Sequence, residues 1–262
     1  MTIQKLPRVG RIFEQHDLPA VRSCGKKNFV TGERQKLFDS LSRQFYNQLK
    51  ILEVKILPKY SAEATANRRE EIINACEKLY RTQSFKDITI IDIGEETSFT
   101  RTSIYNYFNT KEEIFLALLQ REYELWIANL EKIVAENDFL SKEKFADALA
   151  QSLENREQLL KLMSMNHFDL EMNSCDENLI DFKKSYGKSL RAVKNCLDKF
   201  CPEKSEVERQ NFLYAFFPFV YGIYPYAVVT DRQKHAMKEA DVNFKFHSIY
   251  QLAYNCILKL LS

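Results

Sequence analysis

The stretch TIIDIGEETSFTRTSIYNYFNTK, Thr89 to Lys111, decides how the rest of the chain is read. Thr89 is placed to N-cap a first helix, with Asp92 three residues on as its reciprocal partner, and Ile90 and Ile93 give that helix an apolar side. Thr97, Ser98 and Phe99 form the expected turn. Thr100 then caps a second helix on which Ile104 and Phe108, four apart, share a buried face, leaving Arg101, Thr102, Ser103, Tyr105 and Tyr107 outside it. Two short helices joined by a tight turn make a helix-turn-helix, a shape that lays its second helix in the major groove of DNA.

Working outward, Asn67 opens a preceding helix with Glu70 as capping partner and Ile72, Ile73, Cys76, Leu79 and Tyr80 on its apolar face. Arg68 and Arg69 stand at its entrance, within reach of phosphates or a minor groove, with two solvated charges as the alternative. On the other side Thr110 caps a long helix, with Glu113 completing the capping box. Lys111 sits in that helix's first turn, where the partial positive charge disfavours a cation unless a phosphate lies there.

The segment from about Asn67 to Leu119 resembles the N-terminal DNA-binding domain of TetR-family transcriptional regulators. RREEIINACEKLY followed by FKDITIIDIGEETSFTRTSIYNYFNTKEEIFLALL carries the resemblance, the YNYF run before K-E-E being its most distinctive part. It departs from the family habit at Ser98, where the turn usually has Gly, at Gly94, where the first helix usually has Ala, and at Ile91, where a polar groove-facing residue is common. The resemblance implies a dimeric, ligand-responsive protein, in most cases a repressor. With it, Arg101 becomes the expected base-edge contact, since guanidinium pairs bidentately with guanine. Thr102 and Ser103 permit close approach; Tyr105, Tyr107, Thr89, Thr100 and Lys111 supply the expected backbone contacts.

Composition agrees with a helical protein: 262 residues, 45% hydrophobic and 28% charged, with only 6 Gly and 6 Pro. The net charge of +2 hides an asymmetry, because residues 1–69 hold 14 Lys and Arg against 6 Asp and Glu, and the remainder holds 24 against 30. A basic front suits phosphate attraction. Within residues 1–62, a basic N-terminal extension, the first part lacks a sustained period and reads as partly disordered, while Glu33 to Leu57 reads as one helix ended by Pro58. Either an extra DNA-contacting or partner-binding arm, or a poorly packed tail, accounts for it. The six cysteines form no CxxC pair and no disulfide framework, no secretory signal is visible, and a cytoplasmic location with reduced thiols is expected. Phe212 to Val229 has the length of a membrane span, but Pro218, Gly222, Pro225 and its tyrosines interrupt it, so no membrane partner is expected.

Beyond residues 63–112, assigned to the helix-turn-helix domain, residues 113–262 read as a helical regulatory and dimerisation domain. The helix from Ile114 to Ile133 is long enough to transmit between the two. Helices are expected over Ser141 to Leu153, Arg156 to Met172 and Glu177 to Phe200. The penultimate helix, from Ser205 to about Tyr224, is expected to break at Pro218 and Gly222, and a final one runs from about Asp241 to Leu261. Met163, His167, Phe168, Phe212, Phe216 and Tyr221 are candidates to line an apolar pocket for a small hydrophobic effector, with plain core as the alternative. A pseudo-palindromic operator is read through two-fold symmetry, so a homodimer is expected, and the resemblance places its interface on the last two helices. The four histidines show no metal-ligand spacing, and no P-loop, GxGxxG or GxSxG occurs, so no cofactor, metal site or enzymatic activity is expected. The reading is an all-α DNA-binding regulator. Control by a protein partner is the first alternative, and a helical enzyme or acyl-binding protein that borrowed the head is a remote one.

Overall fold

A computed structural model describes residues 63–165 and 167–262; the extension 1–62 with its expected helix, and the side chains of Arg101 and His167, lie outside the described residues. Every regular element among the described residues is a helix. In chain order these are α1 (63–80), α2 (Ile90–Glu95), α3 (Arg101–Ile104), α4 (Lys111–Glu136), α5 (Lys142–Glu154), α6 (Glu157–Met163), α7 (His167–Met172), α8 (Asp176–Phe200), α9 (Glu206–Ala227), α10 (Asp231–Glu239) and α11 (Ile249–Leu261).

The local signals act as their chemistry dictates. Thr89 forms the reciprocal capping box with Asp92, and Ser205, Thr230 and Ser248 form the same box with Glu208, Gln233 and Gln251. Helices α1 to α4 close around Ile72, Cys76, Tyr80, Ile88, Ile93, Ile104, Phe108 and Phe115, all buried. The 26 residues of α4, about 39 Å at ~1.5 Å per residue, continue from this cluster into the second half. There α8 packs along α4, α11 fills the groove between α5 and α9, and α9 also packs on α6. Trp126 of α4 is fully buried at the centre, edge-on to Phe217 and stacked on Phe216, with its Nε1–H donated to Ser152 Oγ at 3.0 Å.

The structure corrects four expectations and adds one element. Helix α1 begins at 63, about a turn before Asn67, which lies inside it and does not open it. The segment expected as one helix over Arg156 to Met172 is two, α6 and α7. The expected break at Pro218 and Gly222 is absent: α9 runs through both, and through Pro225. Proline inside a helix costs about 3 kcal/mol. The buried face of Phe212, Phe216, Phe217, Val220 and Ile223 offsets this, since full burial of one such side chain contributes about 1.5–3 kcal/mol. The final helix starts at Ile249 and not near Asp241, whose φ of 54° is left-handed and cannot open a helix. Helix α10 was not anticipated, because none of its residues is buried and an apolar stripe therefore never forms. Among the described residues no single helix is long and apolar enough to cross a membrane.

Candidate functional site

The recognition segment is short. After the single α-helical turn of α3 the chain tightens, with Asn106 N–H donated to Ser103 O and Tyr107 N–H to Ile104 O, instead of extending as a regular helix to Phe108. Ile104 and Phe108 are buried as their spacing requires, and Ile91 and Tyr105 are each 45% exposed. Thr102 is exposed and Ser103 half-buried. Arg101 occupies the first helical position of α3. The turn before it closes without a left-handed residue, which explains how Ser98 replaces glycine: its N–H is donated to Glu71 Oε1 at 2.5 Å, fixing the turn to α1. This bond, first among the causes, holds the Glu71 carboxyl below its ordinary range.

Other expected DNA contacts have structural partners. Thr100 occupies the N-cap position, but its hydroxyl lies 3.0 Å from Ser103 Oγ and makes no cap bond. The Thr89 hydroxyl is used in its capping box. Arg68 lies over the Phe99 ring at 5.8 Å and Arg69 over Phe108 at 4.4 Å, which pins both guanidinium groups beside the recognition segment. Tyr107 packs inward, 6.4 Å from Phe99. Lys111 turns into the protein: its ammonium donates to Phe85 O at 2.8 Å and Ile88 O at 2.9 Å and sits 4.1 Å over the Phe85 ring. Those carbonyls relieve the misplaced charge noted in the sequence.

The reading head is bonded to the rest of the chain at three places that sequence spacing does not reveal. Arg121 of α4 donates to Glu70, Asn74 and Glu77, clamping α1 along α4. Lys161 of α6 donates to Tyr80 O at 2.5 Å and Gln83 O at 3.3 Å, capping the end of α1. The third lies at the start of α4. Thr110 accepts from Glu113 N–H as expected, but the Glu113 carboxylate accepts from Asn109 N–H at 2.6 Å and, 62 residues away, from Cys175 N–H at 3.0 Å. The Thr110 hydroxyl donates to Asn173 O at 2.9 Å. Burial alone would raise the Glu113 carboxyl, but these N–H donors overcome it and hold it below the ordinary range.

Behind this contact lies a cavity of about 600 Å³ between α6, α7, α8 and α9. Met163 and Tyr221 line it, and Met165, Tyr186 and Phe217 add apolar wall. Glu171 and Lys183, ion-paired at 2.6 Å, supply the charged rim, which no sequence spacing announced. Phe212 and Phe216 do not reach the cavity, being stacked 5.4 Å apart in the core, and Phe168 is 65% exposed to solvent. The Tyr221 and Tyr123 hydroxyls are hydrogen-bonded at 2.9 Å, and burial pushes the Tyr221 phenol up to about 12. Tyr123 belongs to α4, so the helix that begins beside the recognition segment also touches the cavity wall.

Comparison with known proteins agrees with this layout. Residues 72–118 match the family described as bacterial regulatory proteins, tetR family, and residues 120–252 match the tetracyclin repressor-like C-terminal domain. An uncharacterized HTH-type transcriptional regulator, YfiR of Bacillus subtilis, is 27% identical over 97 residues, which cover 37% of this chain and 47% of that protein. The HTH-type transcriptional repressor AcnR of Corynebacterium diphtheriae is 28% identical over 105 residues, covering 37% of this chain and 53% of that protein. The chain thus spans about half the length of these two relatives. A TetR-family transcriptional regulator from Bordetella parapertussis superimposes with a TM-score of 0.50 at 15% identity, over 75% of this chain and 95% of that one, a likeness of fold alone.

Proposed function

This chain belongs to the TetR family of transcriptional regulators, and on that premise we propose that it is a homodimeric repressor released from a pseudo-palindromic operator by a small apolar ligand. The observation that carries the reading is the continuity of α4, which starts beside the recognition segment, is bonded there to the α7–α8 connection, and reaches the cavity wall through Tyr123. A ligand that favours one arrangement of α7 and α8 has a direct mechanical route to the recognition segment. It shifts the population of DNA-competent molecules by its difference in affinity for the two states. A hundredfold difference corresponds to about 2.7 kcal/mol, enough to release an operator held near its threshold.

On this reading Arg101 carries base recognition, with Thr102, Ser103 and Tyr105 beside it and Arg68 and Arg69 at the flank. The two-fold is formed by α9 and α11, and α9 leaves Val207, Tyr214 and Tyr226 exposed. Helix-turn-helix dimers read half-sites about one helical turn apart. The test is selection of bound sequences from random DNA, followed by titration of the selected operator against the protein and Arg101→Ala. A loss of about 1–3 kcal/mol in specific binding with an unchanged fold is expected. Equal affinity of the two proteins, or enrichment of no palindrome, would remove the assignment.

A further inference from the structure

The cavity's chemistry narrows the class of effector. The charged residues among its described lining are Glu171 and Lys183, and they are not equivalent: the Glu171 side chain is 21% exposed and that of Lys183 is 50% exposed. The carboxylate is therefore the built-in member of the pair, and the ammonium reaches it from the solvent side. The Lys183 ammonium also lies 5.5 Å from the Phe182 ring centroid and 5.9 Å from that of Tyr186. An ammonium held by one carboxylate beside aromatic rings is the arrangement that recognises organic cations.

Three further features point the same way. Behind the ion pair the wall is apolar, with Tyr186 and Phe217 edge-on at 5.8 Å and Met163 and Met165 offering adaptable surface. Gly222 has open space where a side chain would stand, leaving room on the α9 side. The Glu171 charge reaches the interior, since it adds to burial in raising the phenols of Tyr123, Tyr186 and Tyr221, which remain neutral at physiological pH. With Lys183 swung away, the cavity sets one partly buried anion beside the apolar wall of Met163, Met165 and Phe217.

Resting on the effector reading above, we propose that the cavity takes an amphipathic organic cation, whose charge replaces the Lys183 ammonium against the Glu171 carboxylate while its apolar body lies against Tyr186 and Phe217. Exchange of one cation for another keeps the carboxylate paired, and the half-exposed lysine is free to return to water. Glu171 stands two residues before Asn173, whose carbonyl accepts the Thr110 hydroxyl, so the anion that holds the ligand lies on the segment that holds the start of α4.

The experiment uses the full chain and two ions of nearly equal size and opposite sign, tetraphenylphosphonium and tetraphenylborate, with Nile red as a neutral apolar probe, each titrated by calorimetry or fluorescence. Tetraphenylphosphonium is expected to bind at least tenfold tighter than tetraphenylborate. Glu171→Gln is expected to weaken it at least tenfold, and Lys183→Met, which removes the competitor and keeps the aliphatic stem, to tighten it severalfold. Nile red, which carries no charge, should not show these opposite responses to the two variants. Preference for the borate, or weaker phosphonium binding in Lys183→Met, would overturn the cation assignment and leave an anion site. Binding of Nile red with neither ion would overturn it in favour of a neutral effector, and binding of none of the three would overturn the cavity as an effector site altogether.

Discussion

Replacing Glu113 by Gln tests the joint between the recognition segment and the rest of the protein. Glu113 is 2% exposed, and its two oxygens accept backbone N–H groups from Asn109 at 2.6 Å and Cys175 at 3.0 Å. A hydrogen bond to a charged group contributes about 1.5–3 kcal/mol, and a buried donor left unpaired costs about 1–3 kcal/mol. Glutamine keeps one acceptor and turns an NH₂ toward the other N–H, so one bond weakens and one is lost. The expected destabilisation is about 2–4 kcal/mol in urea unfolding. The pH dependence carries an independent signature. The Glu113 carboxyl is held below its ordinary range in the folded chain, so its stabilising contribution is present above the unfolded-state value and lost as pH falls through the lower folded-state one. The gap between the natural protein and Glu113→Gln should therefore be full at neutral pH and shrink as the solution is acidified below the ordinary carboxylate range. A cost under about 0.5 kcal/mol at neutral pH, or a gap that widens on acidification, would show that this carboxylate does not join the halves.

Four further outcomes are expected. Lys111→Met loses two carbonyl bonds and should lower stability by about 1–3 kcal/mol, while the salt dependence of operator binding stays the same; a slope shallower by about 0.9 would instead mark a phosphate contact. Trp126→Phe removes the bond to Ser152 and leaves a small void, costing about 1–3 kcal/mol by urea unfolding. Pro218→Ala restores a helix donor at an exposed position and should raise the melting temperature, with a gain of up to about 3 kcal/mol; a fall would mean that the ring is packed against another surface. Tyr214→Glu, on the exposed side of α9, should move sedimentation toward the monomer and weaken operator binding with it, and an unchanged dimer would place the two-fold elsewhere.

Legibility in the sequence followed the range of each interaction. The box of Thr89 with Asp92, the buried pair Ile104 and Phe108, and the extent of α8 could be read because capping and helical faces depend on residues three or four apart. The α9 break was misread for a related reason: proline reports a local cost, and the burial that outweighs it is a property of the packed core. Phe212 and Phe216 looked like pocket residues because an aromatic at helical spacing carries the same pattern whether it faces a cavity or Trp126.

Taken by itself, the chain determined an all-helical architecture and the placement of the helix-turn-helix with its Thr89 cap, since these are written in short-range spacing, while the ordered run from Asn67 to Leu119 carried the resemblance to the family. Tertiary structure alone decided which groups meet. It turned Lys111 inward to two carbonyls, sent the Glu113 carboxylate to Cys175, clamped α1 with Arg121, and set Glu171 against Lys183 at the cavity rim. A partner twelve, forty or sixty residues away leaves no period in the sequence, because the energy of such a contact depends on how whole helices pack and not on the order of residues within one.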